Sequence, residues 1–180
     1  IYDLERFQML RDLSVEILSA YTEVETEKIN GLFAGETGYA TPKADVRGVV
    51  FRDGKLLLVR ERLDGAWALP GGWADVGLSP KEVAVKEVKE EAGFDVKAVR
   101  LLGVLDKKFH AHPPSPWHVY KMFILCEIAG GEAKSGVETL QVGFFGEHEL
   151  PELSTERNTE EQLRWLFEIG RTGSVDVRLD

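Results

Sequence analysis

Apolar residues recur at helical spacing at the start of the chain. Phe7, Leu10, Leu13 and Ile17 fall on one face of a helix predicted over residues 3–20. Thr22 precedes a shorter predicted helix in which Ile29, Leu32 and Phe33 share a face, closed by Gly35 and Gly38. Helices this short do not bury an apolar stripe by themselves, so they are expected to pack on the rest of the chain or on a second copy of it. From Ala44 the period changes. Val46 to Phe51 is a β-type run, Asp53-Gly54 is a hairpin turn, and Leu56 to Val59 is the returning strand. Trp67 to Pro70 is expected to enter a turn at Gly71-Gly72. A helix is predicted from Pro80 to Ala92, strands at Val99 to Leu105, Val119 to Ile128 and Val142 to Phe145, and a last helix from Glu160 to Ile169. Thr159 and Gln162 are spaced for a capping box at the start of that helix, and His110 to Pro116 reads as a proline-rich loop. Strands and helices mix without regular alternation, which makes the class α+β.

Composition narrows this picture without changing it. The chain has 180 residues, 43% of them hydrophobic and 29% charged, which suits one domain, or one domain with a small appendage. The expected division is a helical segment at 1–37 and a main domain at 38–180. A formal charge of −9 makes duplex DNA and anionic membrane poor partners, while a phosphorylated small molecule remains compatible because bound cations reverse the local field. The single cysteine, Cys126, lies in the apolar run Met122 to Cys126 and is expected to be buried. A lone cysteine forms no internal disulfide. A reducing, cytoplasmic setting is expected; no signal peptide is evident and no stretch reaches the roughly 18 apolar residues of a membrane span.

The segment Gly71 to Phe94 carries the chemistry. Its helix has clear ends: Ser79 caps, Pro80 takes the first helical position, Glu82 completes a capping box, and Gly93 stands where a left-handed residue is wanted. Ala84, Val85, Val88 and Ala92 form the apolar face. Glu87, Glu90 and Glu91 converge on another face at spacings of three and four. A glutamate row of this kind is ordinarily a solvated face. Yet like charges at this spacing repel unless a cation neutralises them, and hard oxygen donors suit Mg²⁺ or Mn²⁺.

The segment resembles a Nudix box, whose pattern is Gly, five residues, Glu, seven residues, Arg-Glu-aliphatic-x-Glu-Glu-x-Gly-aliphatic. Gly72, Glu87, Val88, Glu90, Glu91, Gly93 and, loosely, Phe94 fall in register with it. The resemblance implies a mixed β-sheet sandwiched between helices. It also implies a metal site at Glu87, Glu90 and Glu91, with Gly71 beside them. Outside the box, Tyr2-Asp3-x-Glu5-Arg6-Phe7, Gly38 to Lys43 and His112-Pro113-Pro114 are similar to the Nudix subgroup with an N-terminal helical domain. That subgroup is associated with nucleoside diphosphates joined to a second group, including ADP-ribose and CDP-choline. Three positions depart from the pattern: Leu78 replaces the box Glu, Lys86 replaces the box Arg, and Gln141 stands where a second Glu is frequent in the subgroup. The first two together are expected to exchange a Glu–Arg contact for an apolar contact of Leu78 and a solvated Lys86.

Other candidates complete the site. Glu138 lies in the loop after Gly130-Gly131 and reads either as a general base or further ligand, or as a solvated loop residue. Tyr39, Trp73 and Trp117 could stack on a nucleobase or simply pack. Arg47, Arg60 and Arg62 could hold phosphate; Arg60 and Arg62, just before the Gly-Gly turn, are the two assigned to substrate, and Arg47 is expected in a surface ion pair. His110, His112 and His118 cluster without a fourth zinc ligand, and His112 is read as a rim contact to substrate. The expected activity is metal-assisted attack of water on a pyrophosphate, with Glu87 or Glu138 accepting the proton; the N-terminal helices are expected to supply a dimer contact or one wall of the nucleotide pocket, and a homodimer is expected. The alternative is a nucleotide-binding sensor of low turnover, motivated by Leu78, Lys86 and Gln141.

Overall fold

The computed structural model describes residues 2–22, 41–115 and 117–180. The chain divides into two compact units, Ile1–Thr41 and Pro42–Asp180. In the first, α1 (Tyr2–Thr22) is a single helix. Leu4, Phe7, Leu10, Leu13 and Ile17 are all about half exposed or more along it. The second helix expected around Ile29 to Phe33, and Tyr39, lie outside the described residues.

The second unit is built on one mixed sheet. Its strands are β1 (Lys43–Arg52), β2 (Lys55–Glu61), β3 (Trp67–Ala68), β4 (Gly71–Trp73), β5 (Phe94–Asp106), β6 (Val119–Gly131), β7 (Thr139–Phe145) and β8 (Arg178–Leu179). They lie in the order β3-β2-β1-β6-β5-β8, with β4 pairing β1 and β7 pairing β2. The helices are α2 (Pro80–Ala92) and α3 (Glu160–Thr172). Strand alternation divides the apolar residues between two faces. Val46 and Val50, Leu57 and Val59, and Ile124 and Cys126 join Val83, Ala84, Val88 and Ala92 of α2 in one core. Val49, Leu56, Leu58 and Phe123 join Leu163, Leu166, Phe167 and Ile169 of α3 in the other. The fold is therefore the expected sheet between helices. Gly48 allows the sheet to meet α2 closely, since a β-carbon there would stand 2.4 Å from Val88 Cγ2.

Local signals hold at the element ends. Asp53 and Gly54 take positive φ at the β1–β2 hairpin, both capping boxes form, and Gly93 closes α2 in the left-handed region. Gly71-Gly72 is a correction: these residues form a short strand against Val46 and Arg47, because β1 changes partner along its length. Its first half pairs with β4 and its far end with β2. Gly71 must be glycine there, as a β-carbon would lie 2.1 Å from the Val46 carbonyl oxygen. Strand β5 begins at Phe94, directly after Gly93, and β8 is a further strand that the sequence pattern does not suggest.

Candidate active site

A cavity of about 790 Å³ opens where β1 exchanges partners. Asp45 and Arg47 reach it from β1, Glu61 from the end of β2, Gly71 to Trp73 from β4, Glu87, Glu90 and Glu91 from α2, and Lys121 from β6. The loop before β7 adds Glu138, and the loop before α3 adds Glu156 and Arg157.

The helix carboxylates occupy different environments. Glu91 is buried and accepts a hydrogen bond from the Gly71 N–H at 2.9 Å. Burial, with repulsion from Glu61 and Glu87, pushes its carboxyl up to about 8 against the opposing pull of that bond and of Arg47. Glu87 is also raised, first by burial, while Lys86 opposes the shift. Glu61 is buried and raised by burial; Arg157 and Arg47 oppose the rise, and Asp64 and Glu138 add to it. Arg157 Nε stands 2.9 Å from Glu61 Oε1 as an ion pair, but its orientation leaves that oxygen without a hydrogen bond. Glu90 is the exposed member of the row.

Lys86 is partly exposed but not a free solvated cation, contrary to expectation. Its ammonium lies 3.1 Å from Asp75, 3.2 Å from Glu87 and 3.4 Å from Glu90. The hydrogen bonds to Asp75 and Glu87 hold its pKa well above the usual lysine value. Asp75 therefore supplies the carboxylate that Leu78 lacks, from three positions earlier, and Leu78 itself is 38% exposed.

Glu138 reaches the cavity because its loop is fastened to α2. The buried Thr139 hydroxyl donates to the Glu91 carbonyl and accepts from the Gly136 N–H, each at 2.8 Å. A β-carbon on Gly136 would lie 2.0 Å from the Glu90 carbonyl oxygen, so only glycine permits this approach. Arg62 grips the same loop, its Nε donating to the Val137 carbonyl at 2.9 Å.

Several sequence assignments are redirected. Arg60 and Arg62 do not line the cavity: Arg60 Nε donates to the Gly65 carbonyl at 2.7 Å, and Arg62 binds the loop backbone. Both guanidiniums organise loops. Arg47 is not at the surface. It is buried, lines the cavity, and forms a two-pronged ion pair with Asp45. His112 lines a smaller neighbouring cavity, where it bonds to Thr155 and Gln162. Trp117 does line the main cavity, exposed and 4.6 Å from the Lys43 ammonium, which also lies 5.6 Å from the Trp73 ring. Cys126 is buried as expected. Sequence reasoning missed Asp45, Glu61 and Lys121 altogether. The available signal was a charged residue within a strand of largely apolar residues.

The donor set fits a hard divalent cation. Glu61, Glu87, Glu91 and Glu138 present only oxygen donors to one cavity; Glu61 and Glu91 are buried, Glu87 is partly buried, and all three carboxyls are raised, first by desolvation and also by neighbouring carboxylates. Among the described residues these side chains are not drawn to a common point, and Lys86 holds positive charge beside Glu87 and Glu90.

Comparison with known proteins agrees with this arrangement. The NUDIX domain family matches residues 41–166, and the family described as UDP-X-like, N-terminal oligomerisation domain matches residues 1–33. A Bacillus subtilis (strain 168) protein with the provisional name ADP-ribose pyrophosphatase YjhB is 52% identical over 171 residues, 95% of this chain and 82% of that one. The crystal structure of an ADP-ribose pyrophosphatase from Streptococcus suis 89-1591 is 47% identical, covers 78% of this chain and 100% of its own, and superposes with a TM-score of 0.71. The crystal structure of a UDP-X diphosphatase is 34% identical over 99% of this chain and 87% of its own, with a TM-score of 0.73. With its box, its sheet between helices and its carboxylate-lined cavity, the chain belongs to the Nudix hydrolase family, in the group that carries this N-terminal domain.

Proposed function

We propose that this enzyme hydrolyses the pyrophosphate linkage of a nucleoside diphosphate joined to a second group, with ADP-ribose the foremost candidate and CDP-choline another. The observation that carries the proposal is the meeting of Glu61, Glu87, Glu91 and Glu138 with Arg47, Lys107 and Lys121 in one cavity. The names of the relatives support ADP-ribose in particular.

In this reading Glu87, Glu90 and Glu91, with Gly71, hold Mg²⁺ or Mn²⁺, and Glu61 joins them. A bound divalent cation supplies positive charge to phosphoryl oxygens and acidifies water. The Gly71 N–H fixes one oxygen of Glu91, so that carboxylate keeps its orientation without a cation. Glu87 or Glu138 accepts the proton of the attacking water. Glu138 is suited to this by its loop, which Thr139 and Gly136 lock to α2. Trp117 offers an exposed ring at the cavity mouth for the nucleobase. The products are a nucleoside monophosphate and a phosphorylated second half. The exposed apolar residues of α1 are proposed to form a homodimer contact. Hydrolysis of a panel of nucleoside diphosphate derivatives with Mg²⁺ and Mn²⁺, products identified by mass, tests the assignment. No turnover of any member would overturn it.

One observation favours a second reading, a nucleotide sensor of low turnover: Lys86 places a built-in cation between Glu87 and Glu90. Slow hydrolysis combined with tight nucleotide binding in the same panel would select it.

A further inference from the structure

Among the described residues, one of the largest fully buried side chains is a lysine. Lys121, near the start of β6, is 2% exposed and lines the cavity. The parallel register of β1 and β6 sets it opposite Asp45, and its ammonium pairs with Asp45 Oδ2. Burying a lysine is costly, so its retention calls for a reason.

Neutralising Asp45 is not that reason. Arg47 already engages both oxygens of Asp45, Nε with Oδ2 at 3.0 Å and Nη2 with Oδ1 at 2.6 Å, which is the bidentate geometry of a strong guanidinium–carboxylate pair. All three residues are at most 5% exposed. One buried carboxylate thus serves two buried cations, and the triad carries a surplus positive charge. The leading charged influences on Lys121 are Asp45, Arg47 and Lys107, while Glu91 and Glu61 act on Arg47. Burial pushes its ammonium down to about 8, which leaves it cationic at neutral pH. An ammonium has three N–H donors, and Asp45 is its one hydrogen-bond acceptor among the described residues. The cavity is therefore bipolar: Glu61, Glu87, Glu91 and Glu138 line it together with Arg47, Lys107 and Lys121.

We propose that Lys121 is an anion-binding residue of this site, donating to a non-bridging phosphoryl oxygen of the substrate while Asp45, braced by Arg47, holds the ammonium in position. The proposal rests on the diphosphate reading above and adds to it a residue that grips the phosphoryl group. Because Asp45 leaves donors of the ammonium unused, a bound anion accepts a charge-assisted hydrogen bond from Lys121.

The test measures binding of imidodiphosphate, a non-hydrolysed diphosphate, to the full chain by calorimetry with Mg²⁺ present, alongside hydrolysis of ADP-ribose and thermal melting. Lys121→Met keeps the volume and removes the surplus charge. It is expected to melt at or above the parent temperature and to bind imidodiphosphate at least about tenfold more weakly, with KM for ADP-ribose raised. Lys121→Arg restores the charge and is expected to recover most of the affinity. A purely structural lysine gives the opposite pattern: Lys121→Met melts lower while its folded fraction binds imidodiphosphate like the parent, and that result overturns the proposal. So does a parent that does not bind imidodiphosphate, or an arginine variant as weak as the methionine one. If the parent hydrolyses ADP-ribose but Lys121→Met binds as tightly as the parent, only the lysine assignment falls. If the parent hydrolyses no member of the panel yet loses imidodiphosphate binding with Lys121→Met, the anion site stands and the assigned reaction falls.

Discussion

Gln162 fixes the protonation state of His112. The Gln162 side chain is buried, and its Oε1 accepts from the Thr159 N–H at 3.1 Å as part of the α3 capping box. That leaves its amide Nε2 facing His112 Nε2 at 3.1 Å. An amide nitrogen has only hydrogens to offer, so His112 Nε2 must accept. The ring proton then sits on Nδ1 and is donated to the Thr155 carbonyl at 2.6 Å. Both ring nitrogens are satisfied by the neutral tautomer alone.

A pH dependence follows from this pairing. Burial lowers the His112 pKa from the ordinary 6.5 to about 4, against the opposing pull of Thr155. Between those values the unfolded chain binds the proton and the folded chain does not, so the contribution of His112 to stability is complete above pH 6.5 and declines as pH falls towards 4. Chemical denaturation of the parent and of His112→Gln across that range should show the parent's advantage shrinking with falling pH. A difference independent of pH would refute the tautomer assignment.

Glu91→Gln separates stability from activity. The amide replaces a buried carboxylate raised to about 8, so melting should stay level or rise. Turnover should fall by roughly two orders of magnitude or more, since transition-state charge loses a ligand of its neutralising cation. Unchanged hydrolysis by this variant, or full parent activity in excess chelator, contradicts the metal assignment.

The position of Lys86 revises what its substitution should do. Its partner is Asp75, not Leu78. A double-mutant cycle with Asp75→Asn and Lys86→Met should show coupling on the order of 0.5 kcal/mol, the scale of a partly exposed ion pair. Leu78→Glu and Lys86→Met should simply add. The reverse pattern in unfolding free energies would restore position 78 as the partner.

Gly136→Ala is expected to displace the loop that carries Glu138, because the new methyl meets the Glu90 backbone oxygen. Overpacking of this kind costs about 1–3 kcal/mol, and kcat should fall with it. Gly146→Ala, whose nearest neighbour is the flexible Glu149 carboxylate at 3.4 Å, is the control. Equal melting temperatures and rates for the two variants would show that the loop tolerates the methyl.

The exposed stripe of α1 leads to an expectation about assembly. Phe7→Glu with Leu10→Glu, both residues 61% exposed in the single chain, should convert the proposed homodimer into a monomer in sedimentation velocity at micromolar concentration. Removal of residues 1–37 takes away the proposed homodimer contact and should yield a monomeric or unstable protein. A truncated chain that stays dimeric and keeps the parent's melting temperature would mean the segment is only tethered.

What the sequence determined by itself is local. The ends of α2 and α3 are written in Ser79, Pro80, Glu82, Gly93, Thr159 and Gln162, because caps depend on neighbours within three or four positions. The row Glu87, Glu90 and Glu91 follows from helical periodicity, and the hairpin from Asp53-Gly54. Tertiary structure alone decided the rest of the cavity. Asp45 meets Lys121 only through the parallel register of β1 and β6, and Glu61 approaches Glu91 only because β2 ends at that cavity. Arg60 and Arg62 precede the Gly-Gly segment in sequence, yet their donors are directed to backbone carbonyls. Charge and hydrogen-bond partners are set by where the chain returns in space, and a linear spacing rule reaches no further than the element that contains it.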